Sequence, residues 1–345
     1  MKSLKLLITS LAVSSFSLVT SFAVNAADFK DRQIKVSHVV PKDHPFQIGV
    51  EKYAEIVASK TNGKMKMRGY PDGQLGAELS TILATQGGTI EIALVSTAAT
   101  ASVVKEFGVF DLPMLFNDSR EVDHILDGPI GQSLLARLPE KGLIGLCFFE
   151  TGFRHLTNSR RPVAKLEDFK GLKIRTIQSA VFIDVFSTLG ANPTPLPFTE
   201  VFVALESKAI DGQETPYSNI YGNKFFEVQK YLTNTAHIYG GAVVMVSKKY
   251  WDQLTGDEQK VLKDACAPAR DHERKYSRDN DPKLLAELKN KGLIFTDMAP
   301  SERQRIRDAL KPVYQKYSKN LGEDVVNQTL AELEKFRGAN KTSSK

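Results

Sequence analysis

Short apolar runs alternate with segments of helical period along most of the chain. Residues 34–40 read as a strand, and the apolar spacing over 46–60 predicts an amphipathic helix. Residues 64–68 alternate as a strand, 79–86 read as a helix, and 90–95 as a buried strand. The pattern restarts after Glu150, with strands near 153–157 and 172–175, a helix over 180–189, a strand near 194–196 and a helix over 199–207. Strands interleaved with helices point to an α/β class with mostly parallel sheets.

The restart predicts a second α/β domain. Residues 239–247 are apolar and β-branched, like a strand returning to the first sheet. The first domain is therefore expected over 27–150 and about 240–280, and the second over 151–239 and about 281–338. Thr255-x-x-Glu258 is a capping-box signature opening a long helical stretch, which Pro268 and Pro282 should kink or break. Ser301-x-x-Gln304 reads as the cap of a further helix, and Gly338 onward as a frayed end, with a flexible tail over 339–345. Gly87-Gly88 and Gly240-Gly241 are isolated pairs that read as turns or close backbone approaches.

The N-terminus indicates the compartment. Lys2 and Lys5 precede a largely apolar, uncharged run over 6–23, and Val24-Asn25-Ala26 fits a small-x-small cleavage site. The run is short and serine-rich for a transmembrane helix, so a signal peptide over 1–26, cleaved after Ala26, is expected, with a periplasmic product. Cleavage leaves 44 basic against 40 acidic residues, mild and interspersed, which argues against nucleic-acid binding. Cys147 lies in an apolar run and Cys266 in a predicted helix. Sequence alone does not place them within bonding distance, and two buried free thiols are the expectation.

Ligands of open α/β sheets sit at the carboxyl ends of strands, and two such domains face each other across a cleft that closes about a hinge. In the first domain His38, His44, Gln74, Ser96 and Thr97 follow strands or open helices. Each is a candidate for a ligand's distal half, and each is equally an ordinary capping residue. The six histidines show no zinc spacing, and there is no nucleophile elbow, phosphate loop or dinucleotide fingerprint. No metal, cofactor or catalytic residue is expected, and nothing in the spacing recommends Glu150 and His155 for acid–base chemistry.

Several segments recur in a specific order: Gly152-Phe153-Arg154-His155-Leu156-Thr157-Asn158, Gly171-Leu172-Lys173-Ile174-Arg175, Gly190-Ala191-Asn192-Pro193-Thr194-Pro195, Phe198-Thr199-Glu200-Val201 and Ile210-Asp211-Gly212-Gln213-Glu214. Phe225-Phe226-Glu227-Val228-Gln229-Lys230-Tyr231-Leu232 completes the set. Together they resemble the solute-binding proteins of tripartite ATP-independent periplasmic (TRAP) transporters, the DctP-like family, over about 34–254.

The resemblance implies a two-domain periplasmic binding protein fold, with a ligand cleft between the domains and helices bridging them. It implies that Arg175 clamps the carboxylate of an organic acid, since a planar guanidinium meets a carboxylate with two parallel hydrogen bonds. Arg154 matches a second arginine common in the family, although it is equally suited to pair with Glu150 or Glu214. Phe198 matches an aromatic packed over the ligand, and Gln178 is placed to offer an amide. Thr215 stands where the family usually has asparagine, with Tyr217, Ser218 and Asn219 available to compensate. The implied function is capture of a C4-dicarboxylate or sugar acid for a small and a large TRAP membrane subunit, by a monomeric protein. A ligand-presenting partner of a sensor kinase is the alternative, and a secreted lyase or isomerase the more distant one.

Overall fold

The computed structural model describes residues 29–342; the expected signal peptide over 1–26 lies outside the described residues. The strands are β1 (Arg32–Ser37), β2 (Met65–Tyr70), β3 (Ile92–Ser96), β4 (Leu143–Phe153), β5 (His155–Asn158), β6 (Lys173–Thr176), β7 (Asn192–Pro195), β8 (Gly212–Thr215), β9 (Tyr231–Asn234), β10 (Tyr239–Ser247) and β11 (Ile294–Asp297). They form a five-stranded sheet in the order β2-β1-β3-β10-β4 and a six-stranded sheet in the order β11-β9-β5-β8-β6-β7. The fold is thus mixed α/β.

The parallel expectation holds only for part of each sheet. β1 pairs in parallel with β2 and β3, and β6 with β7 and β8. β10 is antiparallel to both β3 and β4, and β5 to β8 and β9. The chain passes from one sheet to the other directly through β4 into β5, and back from β9 into β10. Strands joined without a crossover helix enter their sheets antiparallel. β10, buried at all nine positions, lies inside the first sheet, which is why it reads as an unbroken apolar run. At the crossing Gly152 pairs with Gly240, with a register shift between Gly240 and Gly241. Gly152 has φ +99°, and a Cβ on Gly240 would sit 2.1 Å from Thr151 Oγ1, so both positions favour glycine.

Helix Pro45–Lys60 is capped by His44, whose Nδ1 accepts from the Phe46 N–H at 3.1 Å. Its apolar face packs with Ile34, Val36, Val244 and Phe149 on one side of the first sheet, beside the long helix Gly256–Asn290. Thr255 and Glu258 form the capping box that the sequence predicts. Contrary to expectation, Pro268 and Pro282 sit inside an unbroken 35-residue helix. Each proline removes one hydrogen bond and costs about 3 kcal/mol in a helix interior. Tertiary packing compensates: Leu262, Ala265, Cys266 and Ala269 are buried against the first sheet, and Leu288 is buried under the second. The helix thereby bridges both sheets. A covalent tie adds to this, because Cys147 on β4 and Cys266 on the helix are joined in a disulfide, with their Cα atoms 6.1 Å apart. The expectation of two free thiols is corrected; the helix and strand meet face to face, a tertiary relationship invisible in either local pattern.

At the C-terminus, helix Pro300–Ala309 is capped by Ala299 rather than by Ser301, which lies within its first turn. Helix Lys311–Leu321 packs on the 3-10 segment Lys105–Asp111 and on helix Ala180–Thr188. Helix Glu323–Thr342 lies against helices Ser119–Leu126 and Pro129–Leu135, so part of the stretch expected with the second domain covers the flank of the first sheet. Arg337 fixes it there through Glu121, at 2.7 Å, and the Leu115 carbonyl. The expected frayed end is therefore helical through Thr342; 343–345 lie outside the described residues.

Candidate functional site

A cavity lined by residues of both sheets lies between them. Seven of the sequence candidates line it: Arg154, Arg175, Phe198, Thr215, Asn219, Ser96 and Thr97. Phe182, Ile177, Phe46, Val39 and Val40 supply its apolar walls. An apolar enclosure with a few convergent polar groups is the usual form of a small-molecule site.

Arg175 is the third residue of β6, between β7 and β8, where it faces Thr194 and Gln213 in register. Its side chain is only 2% exposed, among the largest fully enclosed side chains of the described residues. Nε and Nη2 both donate to the Leu196 carbonyl, at 2.9 and 2.6 Å, and the guanidinium lies 5.7 Å from the Phe198 ring centroid. Nη1 is buried without a hydrogen-bond partner among the described residues. Burial pulls the Arg175 pKa down to about 10, which leaves the group charged at neutral pH.

Arg154, in the single residue between β4 and β5, is committed differently. Its Nε and Nη2 donate to the two carboxylate oxygens of Glu214 at 2.6 and 2.9 Å, and Nη2 also meets the Glu214 carbonyl at 2.7 Å. Of the two partners left open by the sequence, Glu214 is the one it takes. Burial, the largest influence on Glu214, pushes its pKa up; the Arg154 charge and hydrogen bonds from His237 and Arg154 outweigh that and hold it below the ordinary value. Arg154 still lines the cavity and lies over the Phe182 ring, 5.2 Å from the centroid.

Thr215 closes β8 opposite His155 and accepts from Asn219 Nδ2 at 2.7 Å; Asn219 Oδ1 is buried without a partner among the described residues. On the opposite side, Ser96 donates from its backbone and hydroxyl to Glu78, at 2.6 and 3.0 Å. Asp111, at the end of the 3-10 segment, is 1% exposed and lines the cavity. Thr97 Oγ1 lies 3.2 Å from Asp111 Oδ1 and 3.3 Å from the Gly241 carbonyl, while Asp111 Oδ2 has no partner among the described residues. Burial pushes the Asp111 pKa up to about 8.

The other candidates fall elsewhere; His44 and Ser218 are bonded to each other at 3.1 Å, outside the cavity lining. His38 is buried beneath the cavity wall, bonded to Gln47 at 2.9 Å. Gln74 is exposed, in the turn after β2. Tyr217 stacks on His155 with ring centroids 4.0 Å apart, behind Thr215. Gln178 is exposed on an adjoining recess that shares Arg175, Glu78 and Phe198 with the cavity. The sequence reading missed Asp111, Glu78, Phe182 and Tyr239, all of which line the cavity. Only Glu78, at a predicted helix start two residues after Gly76, carried any local signal. Glu150 is bound by Arg278 at 2.6 Å and by the Tyr239 hydroxyl, outside the cavity lining.

Residues 36–320 match the family of bacterial extracellular solute-binding proteins, family 7 (DctP). The chain belongs to that family of solute binders. It is 34% identical to the C4-dicarboxylate-binding protein DctB of Bacillus subtilis, with 86% of this chain and 85% of that one covered. It is 36% identical to the 2,3-diketo-L-gulonate-binding periplasmic protein YiaO of Escherichia coli, covering 76% of this chain and 80% of that one. Among solved structures, the sugar acid binding protein DctPAm of Advenella mimigardefordensis, in complex with galactonate, is similar at 42% identity and a TM-score of 0.88, covering 89% of this chain and 99% of that one. No helix among the described residues is long and apolar enough to cross a membrane.

Proposed function

We propose that the chain captures a small organic acid in the periplasm for a TRAP transporter, with Arg175 as the carboxylate anchor. The observation that carries this reading is the buried, unpartnered Nη1 of Arg175 on the cavity wall. A buried cationic donor without a partner is costly, and a ligand carboxylate supplies both the charge and the acceptor. Phe198 and Phe182 enclose the ligand, Thr215 and Asn219 contact its polar groups near the anchor, and Ser96 and Thr97 face its other end. Gln178 borders the mouth. The relatives' ligands, a C4-dicarboxylate, a diketo-gulonate and galactonate, are all carboxylates, which supports the class. The filled cleft is then handed to the small and large membrane subunits.

Export follows from the N-terminal pattern: cleavage after Ala26 leaves Ala27 as the first residue of the periplasmic protein. Calorimetric titration with organic acids tests the binding reading. Saturable binding in the wild type that is lost in Arg175→Ala supports it, and an unchanged dissociation constant in a correctly folded Arg175→Ala rejects the anchor.

A further inference from the structure

The cavity is electrically lopsided. Among its described lining residues the only cations are Arg154 and Arg175, both on the side of the second sheet. The only acidic groups are Glu78 and Asp111, both on the side of the first. Because Glu214 already neutralises Arg154 through two short hydrogen bonds, Arg175 is the one lining cation among the described residues with no carboxylate hydrogen-bonded to it. That charge matches one carboxylate. A second carboxylate reaching the first-sheet side of the cavity would meet Glu78, with no lining cation there to offset it.

The unsatisfied atoms at the cavity are informative in the same way. Thr97 Oγ1 has one hydrogen for two neighbouring acceptors, Asp111 Oδ1 and the Gly241 carbonyl. With that hydrogen on the Gly241 carbonyl, a protonated Asp111 donates through Oδ1 to Thr97, and its Oδ2 remains as an acceptor. Asp111 Oδ2 and Asn219 Oδ1 are both buried acceptors without a donor. A second carboxylate carries no hydrogen to offer either of them, whereas hydroxyl groups do. The raised pKa of Asp111 agrees with its being a neutral acid at pH 7.

We infer that the site selects a hydroxylated monocarboxylate and rejects dicarboxylates, with Asp111 and Asn219 accepting from ligand hydroxyls and Glu78 repelling a second carboxylate. This rests on the reading of Arg175 as carboxylate anchor, and it chooses between ligand classes that the family alone leaves together. Asp111 is the specificity-determining residue.

Three probes separate the elements of this inference: galactonate, galactarate (the same carbon skeleton with a second carboxylate) and hexanoate (one carboxylate, no hydroxyls). In calorimetric titrations the wild type should bind galactonate at least about tenfold more tightly than hexanoate, since a site built around hydroxyls strongly rejects analogues lacking them, and more tightly than galactarate, whose second carboxylate meets Glu78. Asp111→Leu should weaken galactonate by about tenfold while leaving hexanoate unchanged. Asp111→Asn keeps the shape and an acceptor and should retain most galactonate affinity, and Glu78→Gln should narrow the gap between galactonate and galactarate. Equal wild-type affinity for galactonate and galactarate overturns the charge filter. An equal loss for galactonate and hexanoate in Asp111→Leu overturns the hydroxyl role, and if that variant does not fold, the three wild-type affinities decide. Wild-type protein that binds no carboxylic acid at all rejects the underlying anchor reading instead, so the two failures are distinguishable.

Discussion

Arg154 and Glu214 are locked together by two side-chain hydrogen bonds of 2.6 and 2.9 Å, with neither side chain more than 5% exposed. This pair sets Arg154 apart from Arg175 and takes one of the two partners that the sequence left open for it. Glu214 fixes Arg154, and Arg154 in turn forms a rigid wall over Phe182. Removing one member of such a buried pair strands the other charge, so both residues are structural as well as cavity-lining. Arg175 has no hydrogen-bonded carboxylate partner among the described residues; its guanidinium donates to the Leu196 carbonyl and lies over the Phe198 ring. In the proposed reading, its free Nη1 is what a ligand meets.

The first prediction concerns that free edge. Arg175→Ala leaves a ligand carboxylate buried without its cation, a loss of about 3–5 kcal/mol, or roughly a thousandfold in dissociation constant. Arg175→Lys retains the charge but loses the fork that holds Leu196 with one edge while offering Nη1, so its binding should also fall clearly. Titration calorimetry on folded variants measures both. A lysine variant with wild-type affinity would show that charge alone suffices.

Much of this architecture is written locally in the chain. Residues 239–247 are legible as a buried strand because β10 is apolar on both faces, and Thr255 with Glu258 announces the long helix through its cap. Arg175, Thr215, Ser96 and Thr97 are legible because each stands at or just beyond the carboxyl end of a strand, where open sheets present their ligands. Asp111 is not legible: it ends a 3-10 segment without periodicity, and its importance comes from burial against Thr97 and its place opposite Arg154. The Cys147–Cys266 bond and the tolerance of Pro268 and Pro282 are likewise tertiary. They depend on a strand and a helix, 119 residues apart at the bridge, lying against each other.

That bridge makes a second prediction. Closing a loop of 119 residues removes unfolded-state entropy worth about 4–5 kcal/mol in the chain-entropy picture. Replacing Cys147 and Cys266 together by serine should lower the stability of the protein by about 2–5 kcal/mol in denaturant unfolding. The same treatment with a reducing agent should lower wild-type stability and leave the double variant unchanged. Equal stability of oxidised and reduced wild-type protein contradicts a structural role for the bond.

Thr215 is the third site to test. Its hydroxyl accepts from Asn219 Nδ2 and so turns Asn219 Oδ1 into an unpartnered buried acceptor. Thr215→Asn lengthens the side chain beside Arg175 and changes what Asn219 has left to offer. The variant should reorder affinities among galactonate, galactarate and shorter hydroxy acids rather than scale them together. A uniform factor across these acids in a thermal-shift or calorimetric series would show that Thr215 does not read ligand shape.

The last prediction concerns pH and stability. Asp111 has its pKa raised to about 8 by burial, with Thr97 and the charges of Arg154, Glu214 and Glu78 as its other influences. In the unfolded chain an aspartate titrates near 3.9, so between about pH 4 and pH 8 the folded protein binds the extra proton. Stability then falls as pH rises across that window, by up to roughly 1.4 kcal/mol per pH unit from this group. The contribution is full below about pH 4 and lost as pH rises through 8. Asp281, raised to about 7, acts in the same direction, whereas His44, lowered to about 3, acts in the opposite one between about pH 3 and 6.5. The difference between wild type and Asp111→Asn cancels both. Urea unfolding of the two ligand-free proteins from pH 5 to pH 8 should therefore diverge steadily, with the asparagine variant gaining relative stability at every step. Parallel stability curves over that range would mean that Asp111 is ionised in the folded protein, and its neutral-acid role would fail with them.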